Sequence, residues 1–183
     1  MTALIRPDLR VRSSWAEAMA EFAAVGEPVP HGSGFWDLEH LDVTGAGARA
    51  VVDHLRTQAD PTVEVPVGRV HCSYFWITDG AGPREVFVGF LALRHSLTPW
   101  LLEEGGHIGY AVRPSRRREG HASRGLLLAL AEAAALGLDR VLVTADEDNL
   151  GSQQVILGAG GLLEDTRNGK RRYWISTSVD PSP

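Results

Sequence analysis

The sequence predicts an α+β fold in which a mostly antiparallel sheet carries helices on its faces. Residues 71–78 and 84–95 are rich in β-branched and aromatic side chains and are separated by the turn signals Asp-Gly and Gly-Pro, which indicates a hairpin of two strands. Residues 126–138 form the longest apolar run of the chain, and their length predicts a helix rather than a strand. No segment repeats, so these elements belong to one mixed arrangement.

The N-terminal third predicts a short strand and two helices. Residues 3–7 form the strand, and residues 13–26 form a helix that starts at serine, carries apolar side chains at helical spacing and stops at glycine. Residues 26–45 contain two prolines and several glycines, which favours irregular turns. Residues 46–59 predict the second helix.

The C-terminal half predicts alternating strands and helices. In chain order the predicted elements are a β-rich run at 105–114, the long helix, an apolar strand at 140–144 in the centre of the sheet, a short helix within 146–161, and strands at 161–166 and 170–177 around an Arg-Asn-Gly-Lys turn. Residues 178–183 are expected to form a loose tail.

Length and composition limit the possible classes of protein. With 183 residues, 44% of them apolar and 22% charged, residues 1–183 are expected to form one globular domain. A net charge of −5 and a pI of 5.8 argue against a nucleic-acid or anionic-membrane binder, because such proteins carry basic charge over a whole face. The single cysteine, Cys72, excludes an internal disulfide, and no signal peptide or membrane span is recognisable. We therefore expect a cytoplasmic protein without nucleic-acid or membrane partners.

Three further patterns predict no site. The seven histidines show no His-x-x-x-His spacing and Cys72 has no cysteine partner, so no metal site is expected. Residues 45–50 match part of a dinucleotide fingerprint, but the residues before them make a poor buried strand, which favours a helix start. Residues 31–35 place a serine between glycines without the Gly-x-Ser-x-Gly pattern of hydrolases.

Five arginines surround one glycine, Gly120, directly ahead of the long apolar helix. They are Arg113, Arg116, Arg117, Arg118 and Arg124. The first amides of a helix have no intrahelical acceptor and the helix dipole adds positive potential, so an anion is stabilised there. Gly120 permits close approach of the backbone, and arginines add charge-assisted contacts. Charge runs are more often solvated turns, but this combination favours a diphosphate.

The same segment resembles the pyrophosphate loop of the GNAT superfamily of acetyl-CoA-dependent N-acetyltransferases. Arg117-x-x-Gly120-x-Ala122 is similar to the loop pattern Gln/Arg-x-x-Gly-x-Gly/Ala, and residues 107–122 and 140–161 resemble the strands and helix around it. The likeness points to a branch of uncharacterised bacterial acetyltransferases. It implies a GNAT-like central sheet in which two neighbouring strands splay apart, with acetyl-CoA as the co-substrate.

The resemblance also implies which residues bind acetyl-CoA. Backbone groups of the splayed strand pair with the pantetheine amides, the loop holds the diphosphate, and two residues of the next helix lie beside the pantetheine arm. In this chain these positions are Tyr110, Ala111 and Val112, then Arg117, Arg118, Gly120, His121, Ala122 and Ser123, and finally Asn149 and Ser152. The plain alternatives are a core strand for the first group and a helix cap for Asn149.

The implied reaction is direct attack of an amine on a thioester, which requires a base and a proton for the leaving thiolate. His107 stands where the family often carries glutamate, and the ordinary histidine pKa of roughly 6.5 suits a base. Glu104, acting through a water, is the competing base, and His107 as a half-buried strand residue is the plain alternative. The family often has tyrosine as the acid where this chain has Ile156, so the acid stays unassigned.

Two function classes stay open on the sequence. The first is an N-acyltransferase that acetylates a small-molecule or peptide amine, and the second is a non-catalytic acyl-CoA-binding or sensor module on the same fold. Ile156 favours the second class, whereas the loop fits both. The acceptor has no motif of its own, although Arg94 and His95 are candidates to line its pocket, and a homodimer is a further open alternative.

Overall fold

The computed structural model describes residues 1–35 and 42–178, which contain seven strands and four α-helices. In chain order these are β1 (Ala3–Ile5), α1 (Arg12–Ala24), α2 (Gly45–Thr57), β2 (Cys72–Asp79), β3 (Val86–Arg94), β4 (Ile108–Val112), α3 (His121–Ala135), β5 (Arg140–Asp146), α4 (Leu150–Gly158), β6 (Leu162–Arg167) and β7 (Lys170–Ser176). A π-helical turn, Leu101–Gly105, precedes β4. None of the helices in the described ranges is both long and apolar enough to cross a bilayer.

The strands form two hydrogen-bonded antiparallel sheets. The first has the order β1-β2-β3-β4 and the second the order β5-β7-β6. The β2–β3 hairpin supplies the longest ladder, from Cys72 opposite Arg94 to Asp79 opposite Val86. The β6–β7 hairpin turns through Asn168 and Gly169, with φ of 52° and 72°, as two-residue turns between twisted strands require.

The two sheets meet between β4 and β5, which touch at one end and then diverge. Within the described residues, the backbone hydrogen bond that links the two segments runs from His107 N to Leu142 O at 2.7 Å. Beyond that point each strand pairs only with its own sheet, β4 with β3 and β5 with β7, in the part of the chain that is described. The implied splay of two neighbouring strands is therefore confirmed.

Helices cover both faces of the sheets because each carries one apolar stripe. On α1 the buried positions are Trp15, Ala18, Met19 and Phe22, a spacing of one helical face, and they pack with α2, Trp76 and Phe90. On α3 the buried positions are Leu126, Ala129, Leu130 and Ala133, which pack with α4, β3 and β5. Each leucine, methionine or phenylalanine among them contributes roughly 1.5–3 kcal/mol by leaving water.

The predicted fold class is confirmed, with differences at particular elements. The apolar strand at 140–144 was expected in the centre of the sheet, but β5 is an edge strand of its own sheet, with β4 diverging beside it. Helix α1 begins at Arg12, one residue before the predicted serine start, and Ser14 Oγ instead accepts from Phe87 N at 2.9 Å. The π-helical turn had no sequence signal. Residues 36–41 of the expected irregular segment and 179–183 of the expected tail lie outside the described residues.

Candidate active site

A cavity of about 460 Å³ opens where β4 and β5 diverge. One end, which we call the α4 end, is lined by Tyr110, Asn149 and Ser152. The other end, which we call the hairpin end because the β2–β3 hairpin forms its floor, is lined by Tyr74, Arg94, Trp100 and Glu104, among others. One continuous space therefore joins two regions with different chemistry.

The turn at residues 31–34 covers the hairpin end at very short range. A side chain on Gly32 would lie 2.4 Å from the carbonyl oxygen of Gly109 and 3.0 Å from the amide of Ala92, and Gly32 has a φ of 77°. Only glycine meets both conditions. The close approach places His31 and Gly34 in the cavity wall.

The π-helical turn 101–105 carries Glu104 into the cavity and is held by side chains from three strands. Arg94 Nη1 donates to Gly105 O at 2.9 Å, and Thr144 Oγ1 donates to Glu104 O at 2.6 Å. Arg172 Nε donates to Leu102 O at 3.1 Å. Such π-turns are rare and occur often at functional sites, and these bonds give Glu104 a defined position. The Glu104 carboxylate itself makes no hydrogen bond or ion pair with the described residues.

The arginine-rich loop passes twice through left-handed backbone conformations before α3 begins. Arg118 has a φ of 66° and Gly120 a φ of 84°. The first hydrogen bond of the helix runs from Arg124 N to Gly120 O at 3.1 Å, so the amides of residues 121–123 precede it and have no intrahelical acceptor. The start of this 15-residue helix therefore presents amides that could receive an anion, and diphosphate binding by this loop stays a prediction.

Most of the positive charge around this loop is already paired. The ion pairs are Arg113 with Glu21 at 2.7 Å, Arg116 with Asp79 at 2.9 Å and Arg117 with Glu27 at 2.7 Å. Arg118 and Arg124 are exposed and make no ion pair with the described residues. The arginine cluster is therefore partly a scaffold that ties the loop to α1 and β2, and its two unpaired members remain available to a phosphate.

At two positions that are predicted to contact acetyl-CoA, the side chain already binds another part of the protein. The ring of His121 is buried between Thr2, whose Oγ1 lies 2.9 Å from Nδ1, and Arg116. Arg117 Nε donates to Val112 O at 3.1 Å, which occupies a carbonyl predicted to meet the pantetheine arm. For His121 the backbone amide, rather than the side chain, is the group that the loop offers to a ligand, whereas the Arg117 amide already donates to Pro114 O at 3.4 Å.

Comparison with known proteins bears on these arrangements. The sequence profile of the acetyltransferase (GNAT) domain matches residues 47–161, which is more than half of the chain. The chain belongs to the GNAT acetyltransferase family. No curated protein matches the sequence.

Solved GNAT structures share the fold over almost the whole chain. RimJ of Mycobacterium smegmatis, in complex with CoA-disulfide, is 24% identical with a TM-score of 0.67, over 99% of this chain and 84% of that one. The ribosomal-protein-S5-alanine acetyltransferase of Vibrio fischeri is 16% identical with a TM-score of 0.62, over 100% and 94%. The microcin C7 self-immunity acetyltransferase MccE, in complex with acetyl-CoA and AMP, is 14% identical with a TM-score of 0.60, over 96% and 92%.

The α4 end of this GNAT cavity carries a pair of hydroxyl groups. Tyr110 Oη lies 2.7 Å from Ser152 Oγ, and Asn149 Oδ1 accepts from Ser152 N at 3.0 Å as the cap of α4. Burial raises the pKa of Tyr110 to about 12, so its hydroxyl keeps its proton at neutral pH. Ile156, at the position where the family often has tyrosine, is buried in the core and has no proton to give to a leaving thiolate.

The geometry of His107 does not support its prediction as the base. Its ring is 6% exposed, and Nδ1 accepts a hydrogen bond from Leu142 N at 2.9 Å. In a neutral imidazole the other nitrogen then carries the proton, so no lone pair is left to accept one from an amine. Burial, with a smaller effect from Arg94, lowers the pKa of His107 to about 4. Glu104, the competing prediction, does line the cavity.

Cys72, the only cysteine, also lines the cavity but is not suited to covalent chemistry. Burial raises the pKa of its thiol to about 11, and the thiolate is the reactive form. Among residues 1–35 and 42–178, no group of three or more His, Cys, Asp or Glu side chains is arranged to hold a metal ion.

The sequence did not single out several parts of the hairpin end. Tyr74 and Trp100 line it, and Trp100 is 61% exposed at its mouth. Arg94 had been named only as a candidate alongside His95. His95 does not line the cavity and lies against Ser73, with Nε2 2.9 Å from Oγ. A strand-ending arginine was the available signal, but only the fold shows that it contacts the carbonyls of Gly105 and Gly106.

Proposed function

We propose that this GNAT protein transfers the acetyl group of acetyl-CoA to a primary amine by direct attack in a ternary complex. The observation that carries the proposal is the single cavity between β4 and β5, which brings a carboxylate and a hydroxyl pair to its two ends. A thioester threaded through the splay from the loop at Gly120 would reach this cavity. The complexes of two structurally similar proteins with CoA-disulfide and with acetyl-CoA favour the same co-substrate.

In the proposed reaction Glu104 takes a proton from the incoming ammonium, directly or through a water. The amine nitrogen then forms a bond to the thioester carbon, and the carbon–sulfur bond breaks as the tetrahedral oxyanion collapses. The departing thiolate takes a proton from the Ser152 and Tyr110 hydroxyl pair, and the second proton that the attacking nitrogen loses on forming the amide restores that pair. This assignment fills the acid role that Ile156 leaves open.

The acceptor is proposed to be an α-amine at the start of a peptide or in a small molecule. Several relatives are named for such chemistry, including the S5-alanine acetyltransferase and an enzyme that modifies the N-terminal serine of ribosomal protein L7/L12. The hairpin end offers Tyr74 and Trp100 as apolar walls for such a chain end.

A screen of amines with acetyl-CoA tests the proposal. The panel holds short peptides with amino-terminal Ala or Ser, the same peptides with a blocked amino terminus and one internal lysine, and small amines. Free thiol and the mass of the product are measured. We expect thiol release with free α-amines and none with the blocked peptides. Saturable CoA binding without thiol release from any acceptor would favour the non-catalytic sensor, and absence of CoA binding would contradict both functions.

A further inference from the structure

Arg94 is a half-buried cation that has no carboxylate partner in the described part of the chain. It ends β3, and its Nη1 donates to Gly105 O at 2.9 Å and to Gly106 O at 3.0 Å. None of the acidic side chains among the described residues forms an ion pair with it, although Arg113 and Arg117 each meet a carboxylate at 2.7 Å. Desolvation of an unpaired cation is costly, so an anion at this position is favoured.

The remaining donors of Arg94 border the cavity. A guanidinium has five N–H groups, and the two carbonyl contacts leave those on Nε and Nη2 without a hydrogen-bond partner among the described residues. The group lies over Gly109, since a side chain there would begin 3.8 Å from both Nη1 and Nη2. Gly109 lines the cavity, and its missing side chain leaves the guanidinium accessible from it.

The charge balance of the cavity points in the same direction. Its charged lining residues, within the described part of the chain, are Arg69, Arg94, Glu104, Asp146 and Lys170. Asp146 and Lys170 form an ion pair with each other. Arg69 has an interaction of its own, so the hairpin end presents one cation, Arg94, and one anion, Glu104, which suits an acceptor that carries both a carboxylate and an amine.

We propose that the acceptor carries a carboxylate a few bonds from its amine, and that Arg94 binds this carboxylate while the amine faces Glu104. This inference rests on the proposed function and specifies the acceptor. Arg94 donates to the carbonyl of Gly105, the residue next to Glu104, and both Arg94 and Glu104 line the hairpin end of the cavity. The planar fork of arginine matches a carboxylate, which adds direction to the attraction. A free α-amino acid and a peptide with an acidic second residue both present this chemistry.

Paired acceptors that differ only in the carboxylate test the inference. The pairs are the tripeptide amides Ala-Glu-Ala and Ala-Gln-Ala, and alanine with alaninamide. Thiol release gives kcat/KM for each, in the wild-type protein and in Arg94→Gln. For at least one pair, we expect the ratio of kcat/KM for the acid to kcat/KM for the neutral form to be roughly 10- to 100-fold larger in the wild-type protein than in Arg94→Gln. This is the size of a charge-assisted hydrogen-bonded contact. Comparing variants cancels the difference in amine reactivity within a pair.

Two further variants separate recognition from loss of structure. Arg94→Lys keeps the charge but not the fork, and is expected to retain part of the preference. Arg84→Gln removes an exposed arginine of the β2–β3 connection and should leave every ratio unchanged. If Arg94→Gln loses the fold because turn 101–105 is released, the ratio in Arg94→Lys decides the test.

The outcomes distinguish this inference from the proposed function. Thiol release at equal kcat/KM from the acid and neutral forms would overturn the inference and leave the acetyl transfer intact. A full preference retained in Arg94→Gln would assign the carboxylate to another residue. If no acceptor releases thiol, calorimetric titration of the two tripeptide amides into the CoA-loaded protein decides the matter, and equal or absent binding of the pair would overturn the inference.

Discussion

Glu103 and Glu104 are adjacent glutamates with opposite surroundings. The Glu103 carboxylate binds Arg167 on the surface at 3.0 Å, whereas Glu104 lines the cavity. The π-helical turn separates them in this way, because neighbouring side chains on a helical turn point in different directions. One of the pair is thereby available to an acceptor and the other stabilises the fold.

Replacement of Glu104 by glutamine is expected to lower kcat by 10²- to 10⁴-fold, the usual range for loss of a general base. The change keeps the size of the side chain and removes only its capacity to take a proton. Thiol release at saturating acetyl-CoA and acceptor measures the effect. Glu103→Gln is the matched control and should stay within about twofold of the wild type, since surface ion pairs contribute little. Equal activity of the two variants would show that the amine loses its proton to solvent before it binds.

The role of a residue could be predicted from the sequence only where its neighbours in the chain form a recognisable pattern. The unusual turn at Gly120 could be predicted because a tight loop restricts the residue types that fit it, and Gly120 has a φ of 84°. Glu104 was found as the weaker of two candidates, because its neighbour in sequence, His107, has the more suitable ordinary pKa. Only the fold shows that the His107 ring is buried and bonded to Leu142, which is distant in the sequence.

At the level of elements, helix α3 and its loop act as one unit. Gly125 lets the helix approach β2 and β3, since a side chain there would lie 3.1 Å from Ile77 Cδ1. The ion pairs of Arg113 and Arg116 tie the preceding loop to α1 and β2. The amides at the helix start are therefore held in position before any ligand arrives, which reduces the ordering cost of binding.

Gly120→Glu is expected to abolish CoA binding. The side chain would place a carboxylate beside amides that are proposed to hold a diphosphate, and a φ of 84° strains any residue other than glycine. Calorimetry with CoA measures the loss. Gly137→Glu is the matched control, because Gly137 has a φ of 79° and open space around it at the other end of α3. Both variants should lose a similar stability of about 1 kcal/mol, yet only the first should lose affinity. Unchanged affinity in folded Gly120→Glu would place the diphosphate elsewhere.

Most elements could be predicted from the sequence, and the exceptions have physical causes. The β2–β3 hairpin and α3 follow from apolar periodicity and turn residues, which are local properties. The π-helical turn could not be predicted, because it depends on Arg94, Thr144 and Arg172 reaching its carbonyls from three strands. The edge position of β5 was also missed. A fully apolar sequence fits a strand in the middle of a sheet, and it fits equally an edge strand that is covered on both faces.

At the scale of the whole molecule, His107 joins the two sheets at the point where they diverge. Its backbone amide donates to Leu142 O, and its ring accepts from Leu142 N, so the imidazole takes the place of a strand carbonyl. The distance between the sheets beyond this point sets the width of the cavity. We infer that His107 is a positioning residue for the site.

Substitutions of His107 should therefore act through the junction, by which we mean its contacts with Leu142 where the two sheets meet. Asn places an acceptor oxygen close to the position of Nδ1, whereas Leu leaves Leu142 N buried without a partner. We expect His107→Leu to cost about 1–3 kcal/mol of unfolding free energy and to raise the KM for acetyl-CoA, with His107→Asn close to wild type in both. Urea denaturation and initial rates measure the two effects. A loss of kcat alone in His107→Asn would instead support His107 as the base.

The pH dependence of stability tests the same junction. The folded pKa of about 4 lies below the ordinary value of 6.5, so between these values the unfolded chain holds a proton at His107 that the folded chain lacks. The contribution of His107 to the unfolding free energy should thus be fully present above pH 6.5. It should be lost as the pH decreases towards 4, which lowers the unfolding free energy by on the order of 3 kcal/mol. His107→Asn should remove this part of the slope in urea denaturation from pH 7.5 to 4.5, whereas His31→Asn, at an exposed histidine, should keep it. The same slope in wild type and His107→Asn would mean that the ring accepts a proton in the folded protein, and the junction would then not depend on a neutral imidazole.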